Sequence, residues 1–159
     1  MQFVSPTKGS MSLEDVALDI MGFCEDMPEQ QYRLIVGSDS QPRSARHATL
    51  FVTAIVIHRV GKGARFYFLK RPYKKAIAFK QRIFMEASFA LEVVQTLEVE
   101  LGKFGNRLPI EIHLDIGEHG DTRMLIKDVM GWITQSGYTA RIKPDSFGAS
   151  KVADRYTKS

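Results

Sequence analysis

The stretch Thr49 to His58, TLFVTAIVIH, constrains the fold more than any other segment of this chain. Its apolar residues do not alternate with polar ones, so a strand made from it has no wet face. Such a strand belongs in the middle of a sheet that is covered on both sides. Its neighbours supply partners. Tyr32 to Ser38 (YRLIVGS) is a short apolar run containing a closing glycine, and Gly61-Lys62-Gly63 makes a turn from which Ala64 to Lys70 (ARFYFLK) returns. The short connections predict a three-strand antiparallel meander.

The period then changes. Ile83, Ala87, Ala90, Leu91, Val94, Leu97 and Leu101 fall on one helical stripe, predicting a long helix from about Ala78 to Leu101 that Gly102 and Gly105 stop. Pro109 to Ile116 alternates strictly. Ile110, Ile112, Leu114 and Ile116 lie on one face and Glu111, His113 and Asp115 on the other, which predicts a fourth strand. Asp121 to Ser136 reads as a helix with a stripe of Met124, Leu125, Asp128, Val129 and Trp132, stopped by Gly137. Tyr138 to Lys143 reads as a fifth strand, and Ser150 caps a short final helix through Thr157. Ahead of all this, Ser12 with Asp15 three residues on is an acidic capping box. Leu13, Val16, Ala17, Ile20 and Cys24 make residues 13–25 an amphipathic helix that Pro28 ends. After that first helix the order is βββαβαβα, which implies an α/β fold with a mixed five-stranded sheet and helices on its faces. One domain spans 1–159, with 1–31 a helical extension and 32–159 the core.

Composition narrows the class. The chain has 159 residues, 44% of them hydrophobic, and a formal net charge of +4; neither value suits a disordered chain. One cysteine permits no internal disulfide, and no Cys/His spacing suits structural zinc. Cys24 reads as a small buried hydrophobe. The longest apolar run, Leu50 to Ile57, falls far short of the ~20 residues of a membrane helix, and Met1 to Ser12 does not resemble a signal peptide. A soluble protein of a reducing compartment, the cytoplasm, is expected, with no membrane partner. The charge is uneven. Residues 1–31 carry one Lys against six acids, a net of −5, whereas residues 32–159 carry 21 Lys/Arg against 12 acids, a net of +9. Lys70 to Arg82 (KRPYKKAIAFKQR) holds six cations, Lys70, Arg71, Lys74, Lys75, Lys80 and Arg82, and no acid. Such a segment attracts phosphate polyanions, because each neutralised phosphate releases counterions. Tyr73 and Phe79 lie within it for base stacking, although Phe79 is placed in the core.

Sites in open α/β sheets collect where strands end. Asp39 follows the first strand of the meander, Asp115 ends the fourth, Glu86 sits early in the long helix at the edge of its apolar stripe, and Asp154 opens the last helix. Glu92 points to the wet side of the same helix. An aspartate after a strand is ordinarily a turn former or cap, but these four acids together form a pattern. It resembles the ribonuclease H-like fold, whose element order is the one just read. Three blocks sharpen the likeness: Ile35-Val36-Gly37-Ser38-Asp39-Ser40-Gln41; Leu114-Asp115-Ile116-Gly117 with Gly120-Asp121-Thr122-Arg123; and Ile142-Lys143-Pro144-Asp145-Ser146-Phe147 through Val152-Ala153-Asp154-Arg155-Tyr156-Thr157. They resemble the YkuK-type family of ribonuclease H-related nucleases over about residues 32–158.

The resemblance implies that Asp39, Glu86, Asp115 and Asp154 are catalytic ligands of two Mg²⁺ or Mn²⁺ ions, with Asp39 bridging both and Asp145 the alternate fourth ligand. Hard divalent cations want such oxygen ligands, and two of them activate water and stabilise the leaving oxygen in phosphodiester hydrolysis. Lys143 and Lys151 would neutralise phosphate charge nearby, and His119 would shuttle protons. His47 and His58 are expected merely to flank strands, and His113 shares a face with Asp115 without a partner at zinc-ligand spacing. The expected activity is hydrolysis of RNA, RNA–DNA hybrid or structured DNA. Two other readings stand beside it: a non-catalytic nucleic-acid-binding protein of the same fold, and a metal phosphohydrolase of small esters. The acidic first helix has three roles open to it: shielding an edge, a homodimer contact, or masking the basic surface.

Overall fold

The computed structural model describes residues 1–106, 108–116 and 122–142. The final helix expected at 150–157 and the residues Asp145, Asp154, Lys143, Lys151 and His119 lie outside the described residues.

The meander forms as expected but with longer strands. β3 (Tyr32–Arg43) pairs with β4 (Ala48–Arg59) along its whole length, from Tyr32 opposite Arg59 to Arg43 opposite Ala48, and β5 (Ala64–Tyr73) returns antiparallel to β4. Gly61 and Gly63 take the left-handed backbone that this tight β4–β5 turn requires. β6 (Ile110–Leu114) lies parallel to β3, and β7 (Thr139–Arg141) parallel to β6. Two helices make the crossovers: α2 (Phe79–Gly102) and α3 (Arg123–Gln135).

The first twelve residues depart from expectation. They form a hairpin of β1 (Gln2–Ser5) and β2 (Gly9–Ser12), and β1 adds to the free edge of β5 with Val4 opposite Phe68. Among the described residues the sheet therefore has seven strands, in the order β2-β1-β5-β4-β3-β6-β7, and not five. The extension before residue 32 is a hairpin plus a helix. Four-residue strands such as QFVS and GSMS leave too short a pattern to read, and pairing to an existing edge is what makes them form. α1 (Leu13–Asp26) starts on the expected capping box, Ser12 Oγ accepting from the Asp15 amide and the Asp15 carboxylate accepting from the Ser12 amide, each at 3.1 Å.

α1, α2 and α3 all contribute to one apolar cluster on a single face of the sheet. Phe3, Met11, Val16 and Ile20 are buried there with Leu34, Val36, Ile55, Ile57, Leu97 and Ile112. The hairpin and α1 thus share the core of the rest of the chain; α1 covers a sheet face and the hairpin covers the edge. Asp19 of α1 clamps this corner, accepting from Lys8, from the buried Tyr67 hydroxyl and from Arg65 at 3.1 Å. On the other face Ile35, Leu50, Val52, Ala54, Val56 and Phe68 form a second cluster. Both faces of β4 are buried, as its uniform run required. α3 presents a different side from the one expected. Leu125, Ile126, Val129 and Ile133 are buried, whereas Met124 (69% exposed) and Trp132 (38%) face out. Apolar residues occupy two adjacent helical lines in this segment, and packing selects the line that contains Ile126 and Ile133.

Candidate functional site

β3 runs five residues beyond its last pairing with β6, Ser38 with Leu114. Among the described residues, Asp39 to Arg43 pair with β4 alone, which suits a proline inside the strand at Pro42. Asp39 is therefore a strand residue, not a residue after a strand as the sequence suggested. The low strand propensity of Ser-Asp-Ser-Gln-Pro is overridden by the continuous ladder to β4. Asp39 and Asp115 are the next residues along two parallel neighbouring chains after that last pair.

Strand alternation puts Ser38 and Ser40 on the side of α2 and Asp39 on the reverse. Both serines are buried. Ser38 shares a hydrogen bond of 2.9 Å with Thr53 of β4, and Ser40 Oγ donates to Glu86 Oε2 at 2.5 Å. Glu86, expected at the rim of the apolar stripe, is 8% exposed and points down from α2 onto β3. Burial pushes its pKa up to about 8, and the charges of Asp39 and Asp115 push the same way; the Ser40 hydroxyl and Arg82 oppose them. Glu86 is thus within the field of both Asp39 and Asp115. Among the described residues no three His, Cys, Asp or Glu side chains gather as a metal-holding group. The expected convergence of four carboxylates is accordingly represented here by Asp39, Glu86 and Asp115 alone, split across β3, with Asp154 and Asp145 outside the described residues.

Ser40 is the site residue that sequence reasoning missed. Strand parity carries the signal: once β3 is continued past Ser38, Ser40 has to face the helix that bears Glu86. Arg82, one turn before Glu86 on α2, brings Nη1 to 3.4 Å from Ser40 Oγ, while its buried Nε has no hydrogen-bond partner among the described residues.

The basic segment is divided by the sheet. Lys70 shares the face of Phe68, whereas Arg71 shares that of Tyr67. Arg71 pairs with Glu92 at 2.9 Å and lies over the Phe89 ring at 4.5 Å. Lys74, Lys75 and Lys80 are exposed, and the loop that carries the first two is tied down by Thr49 Oγ1 donating to the Lys75 carbonyl at 2.9 Å. The two aromatic residues exchange their expected places. Tyr73 packs against Phe51 (5.5 Å) and Phe89 (6.0 Å), while Phe79 is not in the core but 51% exposed at the first turn of α2. Packing decides this exchange, since Tyr73 ends a strand beneath α2 and Phe79 begins the helix.

Of the histidines, His47 is in the β3–β4 loop with a left-handed backbone, and His58 is inside β4. His113 is fully buried, 3.2 Å from Glu111. Glu111 also accepts two hydrogen bonds from Arg33 (3.0 and 2.8 Å) and one from Arg141 (2.8 Å), so β3, β6 and β7 are tied together on the face of Asp39. Cys24 is half-buried against the core rather than enclosed by it, and burial pushes its thiol pKa up. Among the described residues no helix is long and apolar enough to cross a membrane.

Comparison with known proteins agrees with this architecture. The family model "Ribonuclease H-like" matches residues 15–158. The chain is similar to the uncharacterized protein YkuK of Bacillus subtilis (strain 168), with 33% identity over 98% of this chain and 96% of that protein. No solved structure matches. With β5-β4-β3-β6-β7 in place, acids at the end of β6 and in the first turns of α2, and a family match over nearly its whole length, the chain belongs to the ribonuclease H-like family and to its YkuK type.

Proposed function

We propose that this protein is a metal-dependent nuclease that hydrolyses phosphodiester bonds of RNA, RNA–DNA hybrid or structured DNA by a two-metal-ion mechanism. What supports this reading is the family match together with the placement of three acids around the last β3–β6 pair, Asp39 and Asp115 just past it and Glu86 buried on the other side of β3. Asp39 and Asp115 stand on adjacent parallel chains, and Glu86 is buried within the field of both.

The donor set fits Mg²⁺ or Mn²⁺. All three groups are hard oxygen donors; burial, with smaller contributions from the charges of Asp39 and Asp115, disfavours the ionised Glu86 carboxylate, and a bound cation would favour it. Asp39, Glu86 and Asp115 would hold the ions, with Asp154 or Asp145 completing the set. When bound, the ions would activate a water and stabilise the departing oxygen. The chain's own contribution is positional. Ser40 fixes the Glu86 carboxylate, Ser38 and Thr53 fix the strand beneath it, and Lys74, Lys75 and Lys80 offer phosphate contacts that set orientation without reading sequence.

The test is cleavage of single-stranded, duplex and hybrid substrates with Mg²⁺ or Mn²⁺. Wild type is expected to cleave at least one of them, and Asp39→Asn and Asp115→Asn are expected to abolish that cleavage. Salt-sensitive binding indifferent to metal and to Asp39→Asn, with no cleavage, would instead establish a non-catalytic binding protein.

A further inference from the structure

Phe79 is a large aromatic ring left half in water, and its surroundings differ from those of the other exposed apolar residues. Lys74, Lys75 and Lys80 near it are exposed, and no acid occurs between Lys70 and Arg82. Arg82 lies 5.6 Å from the Phe79 ring centre. Its guanidinium has five donors and only one long contact, to Ser40, among the described hydrogen bonds; its Nε is buried without a partner there. Phe79, Arg82 and Glu86 stand at i, i+3 and i+7, one line along α2 that rises about 10 Å. An exposed ring, a guanidinium with donors to spare and a buried carboxylate therefore succeed one another from the helix start to the candidate site.

We propose that the first two turns of α2 form a platform for an unpaired nucleotide, on which Phe79 stacks against the base and Arg82 holds the adjoining phosphate, so that the substrate reaches the carboxylates as a single strand. Stacking on a protein ring needs a free base face, which a base inside a duplex does not offer, and it tolerates any sequence because every base has such a face. A planar guanidinium suits a phosphate bidentately. The platform deepens the nuclease reading by naming its substrate class, and it rests on that reading for the hydrolysis of the bound strand.

The experiment separates the two. Binding of a short labelled oligonucleotide is measured by fluorescence anisotropy in EDTA, as single-stranded RNA, single-stranded DNA, duplex DNA and hybrid of one sequence. Wild type is expected to bind the single strands more tightly than the duplexes. Phe79→Ala should weaken single-strand binding about 5- to 100-fold, and Phe79→Trp should restore it. Phe84→Ala is the control, since Phe84 is also exposed on α2 (39%) but about 140° around the helix from Phe79; it should leave affinity unchanged. Arg82→Gln should lower the slope of log K against log salt by about 0.7. The RNA and DNA arms show which sugar is accepted. Unchanged single-strand affinity in Phe79→Ala, equal losses in Phe79→Ala and Phe84→Ala, tighter binding of duplex than of single strands, or no nucleic-acid binding at all would each overturn the platform. Binding dependent on Phe79 without cleavage in Mn²⁺ would uphold the platform and overturn the nuclease reading. Cleavage that depends on Asp39 but not on Phe79 would do the reverse.

Discussion

The ion-pair network around Glu111 yields a quantitative prediction about acid stability. Glu111 accepts from Arg33, Arg141 and His113, and these hydrogen bonds, led by those of Arg33, hold its pKa down to about 2 from the usual 4.5. A depressed carboxyl stabilises the folded state above its unfolded pKa, and this contribution drains away as the pH falls from about 4.5 through about 2. The difference of about 2.5 pH units corresponds to at most about 3.4 kcal/mol. Arg141 is 44% exposed, and screening by water lowers the expectation to about 2 kcal/mol. Urea unfolding of wild type and Glu111→Gln at several pH values follows this group through the range in which it titrates. At pH 6 the variant should be less stable by about 2 kcal/mol, and by pH 3 the gap should narrow to about 0.8 kcal/mol. A gap that stays constant with pH, or a variant as stable as wild type at pH 6, would refute the reasoning.

Other expectations come from the packing and the charges. Phe3 is fully buried under the hairpin, so Phe3→Ala should cost about 3–5 kcal/mol by urea unfolding; a loss below about 1 kcal/mol would detach residues 1–12 from the core. Arg71→Ala should cost about 1 kcal/mol, through Glu92 and the Phe89 ring, and leave nucleic-acid affinity unchanged in an anisotropy titration. Lys74→Gln, Lys75→Gln and Lys80→Gln should each lower the slope of log K against log salt by about 0.7–0.9 without altering sequence preference.

The meander, α2 and β6 were legible because each carries a periodic apolar pattern long enough to count. Thr49–His58 announced a doubly covered strand, and the alternation in Ile110–Leu114 assigned its two faces correctly. The illegible parts depend on partners distant in sequence. β1 and β2 are strands because β5 has a free edge, and Asp39–Arg43 is a strand because β4 lies alongside it. At the site, acids at strand ends and in α2 could be picked out by type and position. The depth of Glu86 could not, because a carboxylate at a stripe edge is equally at home in water. Its burial depends on Ser40, whose orientation rests on a strand extension that local propensity opposes. Phe79 and Tyr73 were interchanged for a similar reason. Two aromatic residues six positions apart look alike in sequence, and only the seating of α2 on β4 and β5 distinguishes them.

The N-terminal hairpin also dictates an order of assembly. Val4 meets Phe68 across 64 positions of chain, whereas β3, β4 and β5 are joined by short turns and close cheaply in entropy. On a ribosome, residues 1–12 emerge well before β5, so their hairpin has no sheet edge to dock on until β5 has been made. During that interval β5 is an open sheet edge, able to pair with another nascent chain. Docking of the hairpin is therefore a late step that ends a period of vulnerability, and a chain with a weakened hairpin should lose soluble yield before it loses native-state stability.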